Sequence, residues 1–294
     1  MTSPICPLCK TNKNEYLFSV RNYDLVSCIK CELFFINPYP KDAHKHVLNY
    51  NYDKLEILDV DKHCLAEIQF LKKYFNMIAQ EVRGAKAVLD VGCGTGHLLE
   101  QLSIYSNMIR IGIELNQERA IVARKISGCK IYQVPIEEFS TNTKFDVIIL
   151  INVLSHIPSF DKLFSKLRSN LQPNGKVILK VGENKRSIKK TDIFDWGIPD
   201  HLHFLGLNTI DFICRKYNFK ICKHQRIPLR YDLFSPSRFK TPGRSKVRNV
   251  IKQLIVYTPF ILPMLARIYD IVKGKRIYSS FIILKPISLG ESAA

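Results

Sequence analysis

The feature that most restricts the fold is an alternation running from residue 86 to residue 181. Five short apolar runs stand at 86–91 (KAVLDV), 109–114 (IRIGIE), 129–134 (CKIYQV), 145–151 (FDVIILI) and 176–181 (KVILKV). Between them, segments at 96–106, 116–127 and 159–171 have helical composition, and Pro173-Asn174-Gly175 turns the last one back into its strand. Strands that are apolar throughout and joined by helices pair in parallel and are covered on both faces. A helix at 207–217, a strand near 218–225 and a strand at 276–286 continue the series. The expected class is α/β: a Rossmann-like, doubly wound, mostly parallel seven-stranded sheet with an antiparallel last strand.

In such a sheet, ligands sit beyond the carboxyl ends of the strands. The first strand ends in VLDVGCGTGHLLE, with glycines at Gly92, Gly94 and Gly96. A strand, a glycine turn and a helix suggest a phosphate cradle. The spacing is G-x-G-x-G, however, and the dinucleotide pattern is G-x-G-x-x-G. Asp90 also precedes the first glycine, where it would repel a pyrophosphate. A carboxylate at that point favours a ligand that carries positive charge. Glu114 ends the second strand and adds a second acid at the same edge.

The first forty residues carry a different chemistry. Cys6-Pro7-Leu8-Cys9 and Cys28-Ile29-Lys30-Cys31 are two CxxC turns separated by eighteen residues. Two such turns close a tetrahedral site of four sulfurs suited to Zn²⁺, and YLFSVRNYDLVSC between them has the strand–turn–strand composition of a zinc ribbon. Four protein ligands fill the coordination sphere, so the zinc supports folding and takes no part in chemistry. The expected organisation is a ribbon over 1–40, then a linker and helix over 41–84. That helix carries Ile68, Leu71, Phe75, Ile78 and Val82 on one face, with Gly84 at its end. The main domain follows over 85–226 with 276–286, interrupted by an insertion at 227–275.

With these pieces in place, the chain resembles the class I S-adenosylmethionine-dependent methyltransferases. Their first motif, D-x-G-x-G-x-G, appears as Asp90 to Gly96. Glu114 in IGIEL matches the acid that holds the ribose hydroxyls, VPIEEF matches the segment beside the adenine, and FDVIILINVLSHI matches the fourth strand with its loop to the reaction centre. The resemblance implies a cofactor site of Asp90, Gly92, Cys93, Gly94, Gly96, Glu114, Leu115, Ile136, Glu137 and Asn152. The ribbon with its tail CIKCELFFINPYP, and PDHLHFLGLNTI at 199–210, resemble a bacterial methyltransferase group linked to sugar and polysaccharide biosynthesis. Two positions depart from that group. Ser155 replaces a glutamate before the histidine, and Leu205-Gly206 replaces a helix cap, leaving Asn208 as the expected cap.

The resemblance implies methyl transfer to a sugar, a glycan intermediate or a related small metabolite, with a histidine as general base for an alcohol acceptor. His201 is the favoured candidate, with His203 and His156 as alternates. His201 and His203 alternate in sequence, so an extended loop turns only one of them toward the site. Net charge is +18, and sixteen Lys or Arg stand against two acids between Arg215 and Arg276. That balance suits a phosphorylated or lipid-linked acceptor and peripheral contact with an anionic membrane through LIVYTPFILPML (254–265). The N-terminus lacks a signal-peptide core and no run of eighteen apolar residues exists. The expected location is the cytoplasm or the inner membrane face. Two other functions fit less of the sequence: an RNA methyltransferase, which lacks a basic–aromatic signature in the ribbon, and a non-catalytic ribbon protein with a vestigial domain.

Overall fold

The computed structural model describes residues 3–40, 74–192, 197–228 and 277–287, and six helical positions between 261 and 272. The linker 41–61, the first part of the expected helix (62–73) and most of the insertion 227–275 lie outside the described residues. So do Ile68 and Leu71 of the expected helix, and all but two-residue and single positions of the apolar run 254–265.

Three antiparallel strands open the chain: β1 (Asn14–Val20), β2 (Tyr23–Cys28) and β3 (Phe34–Asn37). A helix, α1 (74–82), ends at Gly84 with a positive φ of 78°. The alternating series follows: β4 (Ala87–Val91), α2 (His97–Gln101), β5 (Ile109–Ile113), α3 (Gln117–Ser127), β6 (Lys130–Tyr132), β7 (Phe145–Ile151), α4 (Phe160–Asn170) and β8 (Leu171–Asn184). Then come β9 (His203–Gly206), α5 (Thr209–Tyr217), β10 (Phe219–Pro228) and β11 (Ile277–Pro286).

Local chemistry fixes several of these boundaries. Asn116 and Ser159 accept hydrogen bonds from the backbone of Arg119 and Lys162 and so cap α3 and α4. Gly128 closes α3 in the left-handed region. Asn208 does stand at the N-cap position of α5, but its side chain makes no cap bond. Instead the Thr209 hydroxyl accepts from Gly206 N and donates to the Cys31 carbonyl, tying this helix start to the ribbon. The turn Pro173-Asn174-Gly175 lies within β8, because Leu171 already pairs with Phe145.

Strands β6, β5, β4, β7 and β8 run parallel, while β11 lies antiparallel between β8 and β10. These are the seven strands expected. The sheet nevertheless continues to eleven, because β9 pairs with the end of β8 and also with β3 of the ribbon, Phe34 opposite Phe204 and Phe35 opposite His203. The cores reflect this union. Cys6, Leu8, Leu33 and Phe35 of the ribbon share one buried cluster with Leu89, Leu150, Leu179 and Ile213 of the main domain. On the opposite face, Tyr74, Ile78 and Val82 of α1 pack on Val88, Val147, Ile149 and Phe281. Polar clamps add to the seam: Lys216 Nζ reaches both the Leu8 carbonyl and Asp161 at 2.7 Å, and Arg186 reaches the Ile29 carbonyl at 3.0 Å.

Among the described residues no helix is long and apolar enough to cross a membrane.

Candidate functional site

Parallel strands β4, β5 and β7 end together, and the glycine turn leaves the first of them. Gly92, Gly94 and Gly96 all have positive φ, between 59° and 84°, a region that other residues enter only at a cost. At Gly92 there is a further constraint: a Cβ would stand 2.4 Å from a Val153 methyl. The turn after β4 therefore packs directly on the loop after β7.

Four amide hydrogens of this turn are consumed inside the chain. Gly92 and Cys93 both donate to the Ile113 carbonyl, at 2.7 and 2.9 Å, and Gly96 donates to Cys93 at 3.0 Å. Gly94 donates to Glu114 Oε2 at 2.9 Å. These four groups make no anion cradle. Two buried carboxylates stand at this edge of the sheet, Asp90 near the end of β4 and Glu114 just beyond β5. Glu114 also accepts a backbone bond from Asn116, to Oε1 at 2.9 Å, so both of its oxygens are held at the edge of the turn. Two carboxylate acceptors suit a ligand that is cationic at one end and hydroxylated in its middle, as S-adenosylmethionine is.

Of the other expected cofactor residues, Leu115 follows Glu114, and Asn152 precedes the Val153 that meets Gly92. Cys93 is buried and Leu115 is half-buried beyond β5. Ile136 is buried, and both oxygens of neighbouring Glu137 are shielded from solvent. Burial, together with the nearby Cys6 and Glu137, pushes the Tyr39 phenol up, which sets the ribbon's tail beside this same segment. Asn152 follows β7 in the left-handed region, with φ of 59°. Its Oδ1 accepts from Lys180 Nζ at 2.8 Å.

Lys180 was not foreseen. It is a buried cation on β8, with its ammonium 5.4 Å from the centre of the Tyr74 ring. The lone lysine inside VILKV was the available signal, since a charge in a strand buried on both faces needs a partner.

The histidines separate into two environments. His203 is fully buried, and its Nε2 lies 2.7 Å from the Leu154 carbonyl. Burial holds its pKa down, to about 3, with His156 and His201 nearby adding to the effect. Enclosure of this kind favours the neutral imidazole, whereas His201 and His156 are only half-buried. His201 and His156 face each other, with ring centres 4.6 Å apart. Asp200 completes the group, its Oδ1 3.4 Å and its carbonyl oxygen 3.0 Å from His156 Nδ1. Asp200 was also missed in the sequence, although it adjoins His201 in the run PDHLH.

Cys6, Cys9, Cys28 and Cys31 come together within the ribbon, with one donor atom from each, the sulfur, within 4.8 Å of the others. Cys6 and Cys31 are 3.6 Å apart and Cys9 and Cys28 3.4 Å. A tetrahedral zinc with bonds of about 2.3 Å separates its sulfurs by about 3.8 Å, so the cluster needs little adjustment to hold the ion. Crowding makes the thiols share protons. Hydrogen bonds from Cys31 and Cys6 draw Cys28 down to about 2, while the bond to Cys28 pushes Cys6 up to about 12.

A family model described as a methyltransferase domain matches residues 61–224, more than half of the chain. The chain belongs to the methyltransferase domain family. Within that family, ubiquinone biosynthesis O-methyltransferase from Pasteurella multocida is 36% identical over 153 residues, covering 46% of this chain and 62% of that enzyme. Phosphoethanolamine N-methyltransferase 2 from Caenorhabditis elegans is 28% identical over 153 residues, covering 47% and 33%. The chain thus spans less than two thirds of these relatives' length. Among solved structures, the Haemonchus contortus phosphoethanolamine N-methyltransferase 2 complex with phosphomonomethylethanolamine and S-adenosylhomocysteine matches with a TM-score of 0.57 at 17% identity, over 86% of this chain and 62% of that one. Coclaurine N-methyltransferase, bound to N-methylheliamine and S-adenosylhomocysteine, gives 0.50 at 16%, over 74% and 72%. These likenesses establish the methyltransferase fold.

Proposed function

We propose that the chain is an S-adenosylmethionine-dependent methyltransferase acting on a small-molecule acceptor. The observation that carries this reading is the pair of buried carboxylates, Asp90 and Glu114, at the ends of adjacent parallel strands, beside a turn in which the amide hydrogens of Gly92, Cys93, Gly94 and Gly96 are already spent. When bound, the cofactor supplies an electrophilic methyl group on a sulfonium. Asp90 offsets the positive charge of its amino-acid end, Glu114 holds the ribose hydroxyls, and Ile136 with Glu137 flanks the adenine. The loop carrying Asn152 to His156 forms the wall toward the acceptor, where the His156–Asp200–His201 group activates the attacking hydroxyl or amine. The four cysteines hold a structural Zn²⁺ that stabilises the ribbon against β9.

The relatives named above are, by their names, an O-methyltransferase of ubiquinone biosynthesis and a phosphoethanolamine N-methyltransferase, which supports a small acceptor with either oxygen or nitrogen as the nucleophile. A sugar or glycan intermediate, in phosphorylated or lipid-linked form, is the narrower acceptor class suggested by the resemblance of the ribbon. The anionic-membrane contact belongs to the same reading. In the described part of the insertion, Met264, Ile268, Ile271 and Val272 expose apolar side chains within a strongly basic stretch. Flotation with anionic vesicles at low salt tests that contact.

The decisive assay follows transfer of labelled methyl from S-adenosylmethionine to a panel of phenols, amino-alcohol phosphates, nucleotide sugars, lipid-linked glycans and RNA. Label on one small-molecule class, lost in His201→Ala with cofactor binding intact, is the expected result. Label on RNA alone would replace this reading with the nucleic-acid one.

A further inference from the structure

The loop after β7 and the segment before β9 bring three metal-ligating side chains together. One donor atom from each of His156, Asp200 and His201 lies within 4.8 Å of the other two, and all three residues are half-buried. The arrangement is assembled by the backbone. Leu202 N donates to the Ser155 carbonyl at 2.9 Å, which ties the two loops, and Ile36 N donates to the Leu202 carbonyl at 3.1 Å, which ties both to β3. His201 N donates to the Gly197 carbonyl at 2.8 Å. Its ring lies so close to Gly197 that a Cβ there would stand 3.0 Å from Nδ1. His156 is oriented by Asp200.

We propose that His156, Asp200 and His201 form a divalent-cation site on the acceptor side of the fold. Two imidazoles and one carboxylate give a mixed nitrogen–oxygen ligand set. Such a set selects a first-row transition ion over Mg²⁺ or Ca²⁺, which prefer oxygen alone. Three protein ligands leave coordination positions open, unlike the closed four-sulfur site of the ribbon. The inference rests on the methyltransferase reading and deepens it. The acceptor class it names is a molecule with two neighbouring oxygens, a catechol, a vicinal diol or an α-hydroxy acid, that can chelate the ion. A hydroxyl on the ion releases its proton to water at lower pH. The two histidines then act as ligands, and neither takes that proton.

The test uses the full chain with zinc in its ribbon, titrated with Co²⁺ and followed by visible absorption. One equivalent should bind with d–d bands and without the thiolate charge-transfer bands that cobalt in the ribbon would give. His201→Ala and Asp200→Asn should each weaken binding by about tenfold or more, and the buried-histidine variant His203→Gln should not. Absence of cobalt binding by the unaltered chain overturns the site, and so does binding that is unchanged in both variants. Calorimetry with S-adenosylmethionine on the same preparations separates the two levels. Cofactor binding without a cobalt site removes this inference alone, whereas failure to bind the cofactor removes the methyltransferase reading on which it rests.

Discussion

His203 gives the structure a pH dependence that can be calculated. It is buried with no exposed surface, and its pKa falls from 6.5 to about 3 because burial disfavours the imidazolium. The unfolded chain therefore binds a proton at this residue from pH 6.5 downward, and the native chain does not. Stability falls on acidification over that window and levels off near pH 3. Each pH unit well inside the window costs about 1.4 kcal/mol, so between pH 7 and pH 5 the loss from this one residue is about 2 kcal/mol. His203→Gln removes the titration and keeps an amide able to donate to the Leu154 carbonyl. Urea unfolding of both proteins at pH 7, 6 and 5 isolates the effect, since every other titrating group is common to the two. The stability advantage of the natural chain should shrink by about 2 kcal/mol across the series. Parallel pH curves would refute the buried, neutral histidine.

Three further outcomes follow from particular contacts. Gly92→Ala places a methyl group against Val153 at a positive φ; it should destabilise the chain by about 1–3 kcal/mol and lower cofactor affinity by calorimetry, because the turn and the acceptor loop separate. Removing zinc with a chelator, or Cys28→Ser, should release the ribbon and expose β9 to hydrogen exchange, since β3 is the partner of that strand; protection at Phe204 that survives zinc loss would contradict this. At Asp161, burial acts against ionisation, but Lys216, Tyr217 and Lys10 outweigh it and hold the carboxyl at about 2, below its ordinary 3.8. That stabilisation is complete above pH 3.8 and is lost as pH falls through about 2. Asp161 is nearly half exposed, so Asp161→Asn at neutral pH should cost less than about 1 kcal/mol in thermal unfolding.

The parts of the molecule that could be read from sequence are those encoded over a few residues. The strands of the central sheet announce themselves as apolar runs because both of their faces are buried. The CxxC turns carry their ligand geometry within four residues each. Asp90 and Glu114 could be placed because a strand followed by a glycine turn fixes which end of the sheet they occupy. What stayed hidden depends on long-range pairing. Nothing near Phe34 or Phe204 signals that ribbon and sheet are one, because their pairing joins segments 170 residues apart. Asn208 looks like a helix cap until the Cys31 carbonyl and Gly206 recruit Thr209 in its place. Asp200 gains meaning only when the fold brings it to His156, and Lys180 only when α1 supplies the Tyr74 ring beneath it.

Calorimetry of S-adenosylmethionine with the full chain, compared with Asp90→Ala and Glu114→Gln, tests the account at its root. Binding at one site per chain is predicted, weakened at least tenfold, or about 1.4 kcal/mol, in each variant, with no competition from a pyrophosphate dinucleotide. No binding to the unaltered chain, or equal binding by both variants, would contradict the assignment of the glycine turn and its two carboxylates to this cofactor.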